Sequence, residues 1–195
     1  MPLLKREPDI WPDDLFELSV EDFPWQVAHV RSRQEKTLAR HLVPREVAGA
    51  HATPAHLRPV PFYMPLVENR LKGGGRIRTS WIPLFGGYVF FRGKAAERLR
   101  VLQSGVVVGV LPVADQPLLG HELRQIHELQ LKGARLIPYP ELAPGDAVRI
   151  REGVFAGYEG VILKEKGEAR LVVSVTMLAK AVLVELDREA LAPAR

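Results

Sequence analysis

The chain has 195 residues, 47% of them hydrophobic, with no cysteine and a formal net charge of +4. That length allows one or two domains with cores of their own, and without cysteine neither a disulfide framework nor a thiolate metal site can form, as suits a reducing cytoplasm. No apolar run approaches the roughly 20 residues that span a bilayer, and no basic stretch leads into an apolar one at the N-terminus, so a secretory signal is not expected.

Charge is unevenly spread along the chain. Residues 1–24 hold seven acids and two bases, 25–143 hold eight acids and 17 bases, and 144–195 hold eight of each. The nine excess positive charges of the middle segment favour nucleic acid or an acidic protein patch at long range, although a solvated basic face is the commoner cause of such a balance.

Residues 1–24 mix four prolines with acids and read as an arm, with Trp11, Leu15, Phe16 and Leu18 as docking points for its own domain. Alternation predicts a first strand over Trp25–Val30. Ser32 is placed to cap a helix, with Glu35 closing a capping box and Leu38 and Leu42 on one face. An irregular, proline-broken segment over 44–61 precedes a strand over 62–67, and the glycines between Lys72 and Arg76 predict a hairpin tip. Arg70, Lys72, Arg76 and Arg78 surround that tip. No G-x-x-x-x-G-K-[ST] order or following helix supports a phosphate loop, and the residues instead predict a basic hairpin close to a nucleic-acid backbone.

Residues 81–93 pack five aromatics around Gly86-Gly87, ahead of a strand Tyr88-Val89-Phe90-Phe91 with the composition of a buried element. One set of rings is expected in the core and another is left for a partner. A short helix over 94–103, using Ala95, Ala96, Leu99 and Leu102, is stopped by Gly105. A strand over 106–111 and a helix with Leu119, Leu123, Ile126 and Leu129 follow. This order predicts an antiparallel sheet with helices on one face. Residues 135–144 carry three prolines and no period, as a linker would. Four short strands after them, over 145–150, 160–163, 171–175 and 181–186, predict a small barrel.

Three stretches carry a resemblance: Trp25-Gln26-Val27 with its helix, the segment from Pro83 to Phe90, and the run from Gly145 to Val161. Together they closely resemble the NusG family of transcription elongation and antitermination factors over about residues 23–193, and the last looks like a KOW element. The resemblance implies an α+β chain with a ferredoxin-like N-terminal domain with an antiparallel sheet (23–133), a linker (134–143) and an SH3-like KOW β-barrel (144–195), and leaves the acidic arm (1–22) without a counterpart. It implies binding to the clamp helices of RNA polymerase through Trp25, His29, Phe85, Tyr88 and Phe90, with Arg70, Lys72, Arg76 and Arg78 near upstream DNA. It further implies recruitment of ribosomal protein S10 or termination factor Rho through Phe155, Tyr158, Met177, Leu178 and Lys180, by a cytoplasmic monomer.

This chain departs from the family where Phe85-Gly86-Gly87-Tyr88 replaces the usual Phe-Pro-Gly-Tyr, where Val154 stands for a proline, and where Leu178-Ala179 replaces an aromatic-glycine pair. Such departures suit a specialised paralogue as well as a general factor. A KOW-containing ribosomal or ribosome-assembly RNA-binding protein is the alternative, against which the neutral C-terminal segment counts. His121 and His127 are six apart, and His51 and His56 lie in the proline-broken stretch, so neither pair has ligand spacing and no metal or other cofactor is expected. With no recognisable Ser-His-Asp, phosphate-loop or paired-carboxylate arrangement, enzymatic activity is not expected either.

Overall fold

Antiparallel pairing organises both ends of the chain. The computed structural model describes residues 7–43, 58–73, 76–139, 147–149, 156–165 and 168–185, and contacts divide the chain into two compact units, Met1–Gln116 and Pro117–Arg195. The fold is α+β throughout.

In the first unit, β1 (Ile10–Trp11), β3 (Phe62–Tyr63), β6 (Tyr88–Arg92), β2 (Trp25–Val30) and β7 (Val107–Leu111) form one sheet in that spatial order. All its pairs are antiparallel. Helices α1 (Glu35–Leu42) and α2 (Ala95–Leu102) belong to the same unit. Alternation sends Ala28, Val30, Val89 and Phe91 to one face, where they form a core with Leu38, Ala39, Leu42 and Val101. Leu38 and Leu42 are fully buried, as their spacing predicted. In α2 the inward residues are Arg100 and Val101, whereas Leu99 is 57% exposed and Leu102 lies outside too. The expected apolar face of α2 is therefore rotated relative to the one observed.

The arm is built into this unit. Trp11 pairs with Phe62 across β1 and β3, Leu15 is buried, and the Phe16 ring stands 5.7 Å from Trp25 and 5.4 Å from Tyr63. Buried Arg92 fastens it, donating Nε to the Phe23 carbonyl and Nη1 to the Leu15 carbonyl at 2.7 Å each. Its guanidinium lies 4.9 Å from the centre of the Trp25 ring. The predicted strand over 62–67 is broken at Met64-Pro65: Met64 donates to Asp9 and the chain re-enters as β4 (Leu66–Gly73), paired in a separate ribbon with β5 (Arg76–Pro83). The hairpin is thus observed, while its tip at 74–75 lies outside the described residues.

In the second unit, α3 (Gln116–Leu131) buries Leu119, Leu123, Ile126 and Leu129, the four residues its period singled out. Its sheet has the order β8 (Arg135–Tyr139), β12 (Lys180–Glu185), β11 (Glu168–Val175), β10 (Glu159–Glu165), β9 (Ala147–Arg149). Val172 and Leu183 are buried at its centre, with Ile137 and Val161 packed against them. One expectation changes here. Residues 135–139, read as linker, form β8 and pair with β12. Among the described residues β8 is an edge strand, where the missing N–H of Pro138 breaks no central ladder. Among the described residues, β8 and β9 do not pair with each other, so the sheet is open at both ends and a closed barrel is not seen. Residues 140–146 of the predicted linker and KOW motif lie outside the described residues, as do His51, His56 and Phe155.

Candidate functional site

The two central strands of the first sheet bring the predicted rings together. Register pairs Trp25 with Arg92, Val27 with Phe90 and His29 with Tyr88, all on the face opposite α1 and α2. Trp25 is 2% exposed, Phe85 3% and Phe90 0%, with the Phe85 and Phe90 rings edge to face at 5.6 Å. These three are core residues, and the sheet face they share with His29 and Tyr88 is the one the ring alternation grouped. Strand alternation specifies that Trp25, Val27 and His29 share a face, but not how much of that face the chain itself covers. His29 and Tyr88 remain half-buried, their rings stacked at 5.2 Å with 26° between planes.

The turn ahead of Tyr88 is held from several sides. Tyr88 N–H donates to the Phe85 carbonyl at 3.1 Å, and Val30 N–H donates to the Gly87 carbonyl at 2.9 Å. Gly87 has φ 85°, a left-handed conformation that favours glycine. Its N–H donates to Oε1 of Glu35 at 2.6 Å, and Lys36 Nζ donates to the Trp81 carbonyl at 2.5 Å. The first turn of α1 therefore clasps both flanks of the segment 81–87.

This corrects the predicted capping box. Residues 31–34 form a tight turn, with Arg33 at φ 62°, so the helix begins at Glu35 with Gln34 as its cap residue and no side-chain cap bond. Ser32 is two residues too early. Glu35, only 5% exposed, serves the distant turn instead. Nothing local in the sequence signals that partner.

The four basic hairpin positions do not share one side. Arg70 is opposite Thr79, Leu71 opposite Arg78, Lys72 opposite Ile77 and Gly73 opposite Arg76. Alternation then puts positions 70 and 72 on one face of the ribbon and positions 76 and 78 on the other. Arg70 is exposed and pairs with Glu68 at 3.0 Å.

Of the residues expected to bind a second factor, Tyr158 is buried, whereas Met177 and Leu178, in the 3-10 turn Thr176–Leu178, and Lys180, at the start of β12, are half-buried. Tyr158 donates its hydroxyl to Glu128 at 3.2 Å and lies under Lys132, whose Nζ is 4.7 Å from the ring centre. Burial pushes the phenol pKa above its usual value, partly offset by Lys132.

Two residues of α3 that the sequence reading passed over hold these loops. Gln125 Nε2 donates to the Glu159 carbonyl at 2.6 Å while its Oε1 accepts the Glu159 N–H at 2.9 Å, so the side-chain amide acts as a strand neighbour would. Glu122 accepts the Thr176 N–H at 3.1 Å and the Thr176 hydroxyl at 2.5 Å. The only signal for them is polarity among buried helix positions: both are at most 8% exposed.

His41 and Arg100 join α1 to α2. Arg100 Nη2 donates to the His41 carbonyl at 2.7 Å, Nη1 contacts the His41 ring nitrogen Nε2, and Nε2 lies 3.2 Å from the Arg100 carbonyl. Burial and then the Arg100 charge hold the His41 pKa below 6.5. Desolvation likewise lowers the pKa of Arg100.

Among the described residues no helix is long and apolar enough to cross a membrane. The arrangement is that of an α+β protein of two units built on antiparallel sheets, the first carrying a ring pair on a clasped turn. No protein-family model matches the chain. The transcription termination/antitermination protein NusG of Buchnera aphidicola subsp. Acyrthosiphon pisum (strain APS) is 30% identical over 127 residues, covering 58% of this chain and 67% of that protein. The chain belongs to the NusG family.

Proposed function

We propose that this protein is a transcription elongation factor of the termination/antitermination kind. Its first unit binds the clamp helices of RNA polymerase, and its second recruits a further factor, with ribosomal protein S10 and Rho as the candidates. The observation that carries the reading is the His29–Tyr88 stack: in a chain of the NusG family, it stands half-exposed on a turn anchored by Glu35. Aromatic side chains give large contact area at small entropy cost and dominate many interfaces. Trp25, Phe85 and Phe90 act from beneath, as packed rings that keep the pair from yielding when a partner presses on it.

The mechanism is one of binding and bridging. A factor that binds only the closed, active form of the polymerase shifts the population towards that form and reduces pausing. Its tethered second unit raises the local concentration of whatever it holds. The basic positions on both faces of the β4–β5 ribbon suit proximity to upstream DNA. The protein works in the cytoplasm as a monomer on this reading. Retention on immobilised core RNA polymerase tests it: the wild type is retained and the double variant His29→Ala, Tyr88→Ala is lost. Equal retention of both refutes the docking face.

A further inference from the structure

The arm does not stay on one side of the first sheet. Trp11, paired with Phe62, packs against the core on the helix side, whereas the Phe16 ring lies 5.7 Å from Trp25 and 5.4 Å from Tyr63. Register sets Tyr63 opposite Phe90 and Phe90 opposite Val27, so Tyr63 shares the ring face with Trp25, Val27 and His29. The chain thus crosses the sheet edge between Trp11 and Phe16 and comes down on the face that carries the His29–Tyr88 pair. At the strand rise, Trp25 stands roughly 13 Å along β2 from His29. One end of the face lies under the arm, where Trp25 is 2% and Tyr63 1% exposed; at the other, His29 and Tyr88 meet solvent.

Little holds the arm at that end. Leu15–Glu17 is a single 3-10 turn with no side-chain cap bond, and so short a turn has little stability of its own. Its place depends on the Phe16 ring contacts and on Arg92, whose Nη1 donates to the Leu15 carbonyl and whose Nε donates to the Phe23 carbonyl. The core around Phe91 on the helix side includes neither Leu15 nor Phe16. A segment with few anchors outside that core opens at lower free energy than the sheet it covers.

We propose that the arm is an internal competitor for the polymerase-docking face. The Leu15–Glu17 turn, with Phe16 as its contact, covers the Trp25 end in the free protein and is displaced as the polymerase segment seated on His29 and Tyr88 runs on along β2. The inference rests on the docking reading above and gives the arm a regulatory part in it: apparent affinity is reduced in proportion to the fraction of molecules whose arm is lifted. Loosening the turn therefore strengthens binding, the opposite of removing a contact residue.

The test measures affinity for core RNA polymerase of the full-length wild type, Phe16→Ala, Arg92→Lys and the double variant His29→Ala, Tyr88→Ala, together with amide exchange of the wild type. Phe16→Ala gives up both ring contacts of the turn and is expected to bind at least about fivefold more tightly than the wild type. Arg92→Lys releases the turn from its backbone anchor and is expected to shift affinity the same way, which keeps the test open should Phe16→Ala not fold. Amides of residues 13–20 in the wild type are expected to exchange faster in the complex than in the free protein. Folded loosened variants that bind no better than the wild type, or arm amides that exchange no faster in the complex, overturn the competitor. If the ring variant has then lost binding, the docking reading stands without it. If the ring variant binds as the wild type does, the docking reading has failed and the competitor falls with it.

Discussion

Replacing Glu35 with alanine removes the carboxylate that accepts the Gly87 amide at 2.6 Å across 52 positions of sequence. Glu35 is 5% exposed, so water cannot readily take over its role. A hydrogen bond to a charged group contributes about 1.5–3 kcal/mol, and a buried donor left unpaired costs about as much as that bond contributed. We expect Glu35→Ala to destabilise the first unit by about 2 kcal/mol, seen as a fall of roughly 8 °C in its unfolding temperature for a unit of this size. Glu35→Gln keeps an acceptor oxygen at the same reach and should recover at least half of the loss. Amide exchange at Gly87 should rise by a factor of about 30 in the alanine variant, the same free energy read locally. A change below about 0.5 kcal/mol, or a glutamine variant as unstable as the alanine one, would refute the clasp.

Three further outcomes can be checked on the same protein. Because the folded-state pKa of His41 lies below its unfolded value, the unfolded chain binds the extra proton. Stability is therefore full above pH 6.5 and declines as the pH falls from there towards the folded pKa; unfolding midpoints between pH 7.5 and 5 should show this, and His41→Gln should flatten the slope. Gln125→Ala removes both bonds to the Glu159 backbone and should cost about 1–3 kcal/mol, with faster exchange at the Glu159 amide in the second unit; unchanged exchange would mean that the contact is not formed in solution. Arg92→Lys cannot reach the Leu15 and Phe23 carbonyls with one planar fork, so limited proteolysis should begin within residues 10–24 in that variant and not in the wild type.

How far the sequence could be read depended on how local the cause was. Leu38 and Leu42, or Leu119, Leu123, Ile126 and Leu129, repeat at helical spacing and are buried as that spacing requires. The glycines between Lys72 and Arg76 mark a hairpin by turn chemistry alone, and β4 and β5 pair around them. Ser32 misled because a cap is judged from a few neighbours, while the backbone turns at Arg33 before the helix begins. The prolines at 138 and 140 suggested a linker, yet among the described residues β8 is an edge strand, where a proline breaks no central ladder.

At the candidate site the division is sharper. Sequence alone selected the aromatic segment, the alternation that groups Trp25 with His29, and the turn before Tyr88, since each depends on residues close together in the chain. Tertiary structure alone decided that Trp25, Phe85 and Phe90 are core while His29 and Tyr88 meet solvent. It alone supplied Glu35 to the turn. Period two fixes which face a side chain takes, but exposure depends on what the rest of the chain lays over that face, and that is settled by contacts between residues dozens of positions apart.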